Sequence, residues 1–541
     1  MTTFGQLKYK TRETMTIAEY LASRLRDHGV RRFFGIPGGP SVPYMEAFRK
    51  KGIEFILTSH ESAAAVMADV TARLTGVTGV CHSTFGPGAT NLSTGVGGAL
   101  LDRSPLLALT SEMPDEWLKR TTQMNIDHQA LYRPLTKSTF RLSEENIASV
   151  TDEALVIANA EYPGPVHIGL PSDIHGRTAN ETATREGKLP EPSEDLSSEK
   201  VRVLIASSRR PLIALGLTAA RRGLGDNMKA FLETHRVPFM VTPMAKGIVS
   251  DDNPCYAGVL FHAMSDRLQR LIREADLIIG LGYDPVEYNY ESWMPDVPLV
   301  HFDTVMSEIP GRGSLRIVSP PEKWFALLEP LRSSPEMVTL AGELRTEMAG
   351  TLAGLSKGFG PVTALRILRE EIPADAVVTS DVGSHLHLLG QMWDASPPGK
   401  LIMTNGWSSM GFGLPAAIAA AMCRRDVPVV CITGDGGMMM NAGEMMTARR
   451  YGVKVIVVVL ADGELNLIRL KEGWKGVDPY GVNLYSGSLF GSESFLGTKV
   501  VRVSGADNMR KAVREALLSD SSVILEAAVD PAEYGDLVVK V

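Results

Sequence analysis

Short apolar runs rich in Val, Ile and Leu alternate along this chain with stretches whose apolar positions recur every three or four residues. That alternation predicts parallel α/β sheets, because each crossover helix covers a face of the strands it joins. In the first third, a helix is predicted over Ile17–His28, stopped by Gly29. Strands are predicted there at Phe33–Ile36, Phe55–Ser59, Gly79–Ser83, Leu106–Thr110 and Val166–Gly169. Residues 176–200 turn polar and rich in Glu, Ser, Thr and Pro, the composition of a linker. Beyond them, strands are predicted at Leu212–Gly216, Phe239–Thr242, Leu277–Leu281 and Leu299–Phe302. The last third offers Ala376–Ser380, Val429–Thr433, Val455–Leu460, Val500–Val503 and Val523–Ala527. The expected domains are therefore 12–175, 201–340 and 355–541, with the linker at 176–200. A length of 541 residues agrees with about three domains.

Composition narrows the function class. The net charge of −7 and the lack of a dense basic run disfavour a nucleic-acid surface. Cys81, Cys255, Cys423 and Cys431 are scattered without metal-like spacing, and read as buried thiols of a reducing compartment. The first sixteen residues lack a secretory apolar core, and no apolar run is long enough for a membrane span. The expectation is a cytoplasmic protein with no nucleic-acid or membrane partner.

The densest chemistry lies at the ends of two predicted strands. Val429–Thr433 runs into Gly434-Asp435-Gly436-Gly437, and Val455–Leu460 into Ala461-Asp462-Gly463-Glu464, with twenty-six residues between the aspartates. Ligands of open α/β sheets bind beyond the carboxyl ends of strands, so one βαβ unit delivers both carboxylates to one edge. Mg2+ takes one or two carboxylates plus substrate phosphates. Glycine-flanked N–H groups at a helix start suit a phosphate. The pattern predicts a metal–diphosphate anchor; two ordinary Asp-Gly turns are the alternative. Glu61, in Thr58-Ser59-His60-Glu61-Ser62, stands past a strand end at the start of an Ala-rich helix. It is either a buried acid of raised pKa or an acid favoured by the helix dipole.

Together these segments resemble the thiamine-diphosphate enzyme family. The family fingerprint runs from Gly-Asp-Gly to an Asn-Asn pair, and its spacing of twenty-four residues holds here between Gly436 and Ala461. Asp462 stands where the family has its second Asn. The segments Phe34–Gly39, Phe85–Leu92, Asp381–His385 and Gly406–Ala417 also match in family order. The resemblance implies three doubly wound parallel-sheet domains: pyrimidine-binding, central and diphosphate-binding. It implies thiamine diphosphate and Mg2+ as cofactors, with the metal on the side chains of Asp435 and Asp462 and the carbonyl of Glu464. Gly383, Ser384, His385, Ser408, Met410, Gly434, Gly436 and Gly437 would cradle the cofactor, Met410 forcing its bent shape. Glu61 would be the catalytic acid on ring nitrogen N1′, with His60 positional. In this family the cofactor lies between the first unit of one chain and the third of another, which implies a homodimer or homotetramer.

Within the family the likeness is to acetolactate-synthase-type enzymes. Gly282-Tyr283-Asp284-Pro285-Val286-Glu287-Tyr288 resembles flavin-free members, so FAD is not expected; a plain surface turn is the alternative. The implied substrate pocket comprises Gly38, Phe85, Gln123, Met124, Leu467 and Lys471. Phe85 replaces a common Ser, and Met124 stands where relatives place Gln, with Gln123 beside it. Lys471 either meets an anionic substrate or solvates a helix face. Gly473–Ser494 either closes over the site or simply connects. The expected reaction is decarboxylation of a 2-oxo acid followed by carboligation to a second carbonyl compound. The alternatives are a non-oxidative decarboxylase releasing an aldehyde, acyl transfer of the sulfoacetaldehyde acetyltransferase type, and a degenerate relative that binds cofactor without turnover.

Overall fold

The computed structural model describes residues 15–180, 198–287, 293–306, 314–355 and 358–538. Most of the predicted linker, and Tyr288, lie outside them. The described chain forms three sheets with flanking helices. In the first, the strand order is Glu54–Leu57, Arg32–Ile36, Gly79–Ser83, Leu106–Glu112, Pro165–Pro171, Ser138–Arg141, all parallel. The third runs Leu401–Ile402, Val377–Ser380, Val429–Gly434, Ile456–Ala461, Val523–Ala528, Thr498–Val503, Ser494–Phe495, with the final pair antiparallel. These two sheets share one winding: second, first, third and fourth strands, then the last before the penultimate. The middle sheet runs Leu315–Val318, Leu299–Asp303, Leu277–Leu281, Pro211–Leu215, Phe239–Val241, Tyr256–Val259, the order of a dinucleotide-type fold.

Central strands such as Leu106–Glu112 and Ile456–Ala461 are buried at every position, as parallel strands under two helix layers must be. The strands that periodicity does not reveal are Ser138–Arg141, Tyr256–Val259, Leu315–Val318, Leu401–Ile402 and Ser494–Phe495, and each lies at a sheet edge. An edge strand is short or half-covered, so its apolar signal is weak. The predicted strand Phe55–Ser59 stops at Leu57, because the N–H groups of Ser59 and His60 turn away to Glu444 Oε1, 2.9 Å each. The helix predicted over Ile17–His28 runs Ile17–Asp27, opened by a Thr16–Glu19 capping box.

Two Ala-rich helices, Glu61–Thr75 and Gly413–Cys423, belong to one buried cluster that joins the first and third sheets. Small side chains let such helices approach closely. No helix among the described residues is long and apolar enough to cross a membrane.

Candidate active site

An open sheet binds ligands where its strand order reverses. In the third sheet that point lies between Val377–Ser380 and Val429–Gly434. A cavity of about 220 Å³ opens there, and every lining residue falls between Val382 and Tyr534. Gly383, Ser384, His385, Ser408, Met410, Gly434, Asp435, Gly436, Gly437, Asp462, Glu464 and Leu467 all line it. Two helices begin at its wall, Ser384–Met392 and Asp435–Asn441. The ends of adjacent strands deliver the aspartates, because Asp435 follows Gly434 as the first residue of a helix and Asp462 follows Ala461 in a loop.

Asp435 Oδ1 accepts from Gly436 N at 2.9 Å. Its Oδ2 accepts from Gly463 N at 2.7 Å, Asp462 N at 3.2 Å and the Tyr485 hydroxyl at 3.1 Å. Burial raises the Asp435 pKa, and burial plus the Asp435 charge push Asp462 up to about 7. No Lys or Arg lines the cavity. The Glu464 carboxylate is paired with Arg469 at 2.7 Å. Two crowded carboxylates with no cation in the lining form a hard-oxygen set that suits Mg2+. His385 Nε2 is buried without a hydrogen-bond partner among the described residues, a nitrogen that calls for a ligand group. A Cβ on Gly436 would stand 2.7 Å from Met410 Cε, so that glycine keeps the cavity open beside Met410. These features fit a metal-bound diphosphate.

The loop bearing Met410 is fixed from below. Asp381, buried, accepts from Val382 N and Gly411 N at Oδ1 and from Gly413 N at Oδ2, at 2.7, 2.9 and 2.8 Å. Asn441 Nδ2 donates to Gly411 O at 2.6 Å. Segment 473–494 reaches the loop after Asp462: Leu465 N donates to Val482 O, Leu484 N to Gly463 O, and Tyr485 to Asp435.

Glu61 is not part of this cavity within one chain. It is the first residue of Glu61–Thr75, 7% exposed, with His60 as N-cap accepting from Ser62 N. Asn91 Nδ2 donates to Glu61 Oε2 at 3.0 Å. The turn before Glu61 is tied to the third unit by Glu444, and Ser59 Oγ also donates to Gly443 O at 2.8 Å. Gly38 and Phe85 lie at the switch point of the first sheet, after Arg32–Ile36 and Gly79–Ser83, and Gly38 abuts the Thr84 side chain. Phe85 and Met124 line an open groove of about 450 Å³ with Glu112, His128, Gln129 and Arg141. Met124 holds a left-handed φ of 63°. Gln123 is exposed and outside that groove, and Lys471 is exposed on the helix whose Leu467 lines the cavity.

The switch point of the middle sheet is filled by its own carboxylates. Glu287 Oε2 accepts from Leu217 N, and Oε1 from Met244 N, 3.0 Å each. Asp284 is held bidentately by Arg103 at 2.6 and 3.0 Å. Sequence reasoning did not single out Asp381, Asn91, Glu444, Tyr485 or His128. Asp381 had a visible signal, being two residues before Gly383; the others depend on contacts remote in sequence.

Three stretches match known domain families. Residues 15–131 match the thiamine pyrophosphate enzyme N-terminal TPP binding domain, 198–325 its central domain and 381–527 its C-terminal TPP binding domain. The chain is 30% identical to a probable acetolactate synthase large subunit of Methanocaldococcus jannaschii, across 95% of this chain and 92% of that protein. It is 30% identical to the acetolactate synthase isozyme 2 large subunit of Escherichia coli, across 96% of each. It is 26% identical to an acetolactate synthase of Bacillus subtilis, again across 96% of each.

Proposed function

The chain belongs to the acetolactate-synthase-like thiamine pyrophosphate enzymes, and from that premise we propose a Mg2+-dependent carboligase acting on a 2-oxo acid and a second carbonyl compound. The observation that carries the proposal is one cavity holding Asp435, Asp462, Glu464, Met410 and the turn Gly383–His385 at a sheet's switch point. When bound, thiamine diphosphate supplies the electron sink that lets carbon dioxide leave.

The chain's own residues do the rest. Asp435, Asp462 and the Glu464 carbonyl would hold Mg2+, which would supply the positive charge for a diphosphate in a cavity without Lys or Arg. Gly383, Ser384, His385, Ser408, Gly434, Gly436 and Gly437 cradle the cofactor, and Met410 sets its shape. Glu61 comes from a second copy and holds the proton at ring nitrogen N1′, since no residue of the first sheet lines the cavity. The site is therefore complete in a homodimer or a larger homo-oligomer. Phe85, Met124 and Leu467 form apolar walls, and Lys471 meets the acceptor's charge. A flavin is not part of the assignment: at the middle sheet's switch point the Leu217 N–H is already taken by Glu287, and Asp284 is paired with Arg103.

The test is pyruvate with thiamine diphosphate and Mg2+, with and without an added carbonyl acceptor, scored by product mass. Acetolactate or a mixed ligation product supports the proposal. Acetaldehyde alone replaces it with a simple decarboxylase, and an absolute need for phosphate replaces it with acyl transfer. Absence of hydrogen–deuterium exchange at the cofactor C2 leaves a binding protein.

A further inference from the structure

Glu112, His128 and His167 bring three possible metal ligands within 4.8 Å of one another, all buried. Their hydrogen bonds assign them a different task. Gln129 Nε2 lies 2.6 Å from Glu112 Oε1 and 3.1 Å from Phe140 O, both acceptors, so the amide nitrogen faces them. Gln129 Oε1 therefore faces Thr139, whose hydroxyl donates to it at 2.6 Å. Thr139 has no further proton to give, so the 2.7 Å contact with His167 requires His167 Nδ1 to donate. His167 Nε2 then accepts from the Thr110 hydroxyl at 2.8 Å. With that proton used, Thr110 accepts from His128 Nδ1 at 2.9 Å. His128 Nε2 is left as an acceptor, and it receives the Gly86 N–H at 3.2 Å.

The chain of bonds is anchored at both ends by groups that cannot reverse. One end is the acceptor pair Glu112 and Phe140 O, with Arg141 Nε 2.7 Å from Glu112 Oε2. The other is a backbone N–H. Every ring nitrogen is committed, which leaves no lone pair for a metal. A proton added to His128 would set N–H against N–H. Burial lowers both histidine pKa values, His128 to about 4, in keeping with neutral rings.

The far end of this relay holds functional backbone. Gly86 sits at φ 64° and ψ −117°, and a Cβ there would come within 2.7 Å of Met124 O. It opens the helix Pro87–Leu101, whose Asn91 reaches Glu61. The same helix start is gripped again by Tyr132, whose hydroxyl donates to Ala89 O at 2.7 Å and whose ring stacks on His167 at 4.2 Å. A Cβ on Gly88 would stand 3.4 Å from Glu61 Oε1.

We propose that His128, locked by the Thr110–His167–Thr139–Gln129 relay, is a positioning residue that sets the Phe85–Gly86 peptide and the Asn91–Glu61 hydrogen bond. This rests on the reading of Glu61 and Phe85 given above. Neutron diffraction from deuterated crystals tests the relay without any turnover. Deuterium on Nδ1 and none on Nε2 is expected in both rings; deuterium on either Nε2 overturns the proposal.

The positioning role is tested with His128→Leu and His128→Gln. His128→Leu should lower kcat with pyruvate about a hundredfold, as a misplacement near 1 Å can, while thiamine diphosphate affinity stays within about threefold. His128→Gln, whose Oε1 can take the Gly86 N–H, should recover at least about tenfold of that loss. Unchanged kcat in His128→Leu, or no recovery with Gln, overturns the role. A crystal structure of His128→Leu in which the Gly86 peptide and the Asn91–Glu61 bond stay in place overturns it regardless of activity. A wild type inert toward every 2-oxo acid fails the proposed function instead, and the neutron result and that crystal structure still judge the relay.

Discussion

Replacing Asp462 by Asn separates the two carboxylates chemically while leaving their shape. Asp462 is pushed up to about 7, by burial first and by Asp435 second. At pH 6 about 0.9 of the chains then carry the Asp462 proton, and at pH 8 about 0.1. A divalent ion binds the ionised form, so uptake expels that proton, and affinity rises with pH and levels off above about 7. Asp462→Asn has no such proton. Mg2+ titrations with thiamine diphosphate, run in two buffers of different ionisation heat, count the protons released. The wild type should release about 0.9 proton more than the variant at pH 6 and about 0.1 more at pH 8. Metal-free stability follows the same sign. The folded chain holds the proton more tightly than the unfolded one, so the wild type loses stability as pH rises from about 4 through about 7, by about 4 kcal/mol at most. The variant lacks that loss. Equal proton release by the two proteins at pH 6 would refute the reasoning.

Changes at three further residues probe the framework. Asp381→Ala strips three N–H groups of their acceptor and should cost about 3 kcal/mol in thermal unfolding, with weaker thiamine diphosphate binding as the Met410 loop loosens. Glu444→Ala bares the Ser59 and His60 N–H groups and should cost about 2 to 5 kcal/mol in denaturant titration. Glu444→Gln should keep most of that stability, because one oxygen accepts both bonds. Glu61→Gln should bind thiamine diphosphate as the wild type does and lose about a hundredfold or more in turnover of pyruvate; unchanged turnover removes the acid role.

Much of the architecture was legible because parallel strands buried on both faces leave dense apolar runs. Val429–Gly434 and Ile456–Ala461 announce themselves as Val- and Ile-rich segments stopped by Asp-Gly. The aspartates were legible for a related reason: strand, glycine turn and helix start follow one another directly in sequence. Edge strands such as Ser138–Arg141 were not, since all four of its positions are only half-buried. Glu444 and Asn91 were not legible either. Each acts on the Glu61 segment from far away in the chain, and a carboxylate or an amide on a helix carries no local mark of the N–H or the carboxylate it will meet. His128 shows the same limit, because its role appears only when Thr110, His167, Thr139 and Gln129 are brought together from separate elements.

The central claim is that the metal cavity of one chain works with Glu61 of another. Co-assembling Glu61→Gln chains with Asp435→Asn chains tests it most directly, after each variant alone has been shown inactive with pyruvate. Random pairing in a dimer makes half the assemblies mixed, each with one intact site, so about a quarter of wild-type activity is expected. Mixed assemblies no more active than the separate variants would contradict the account.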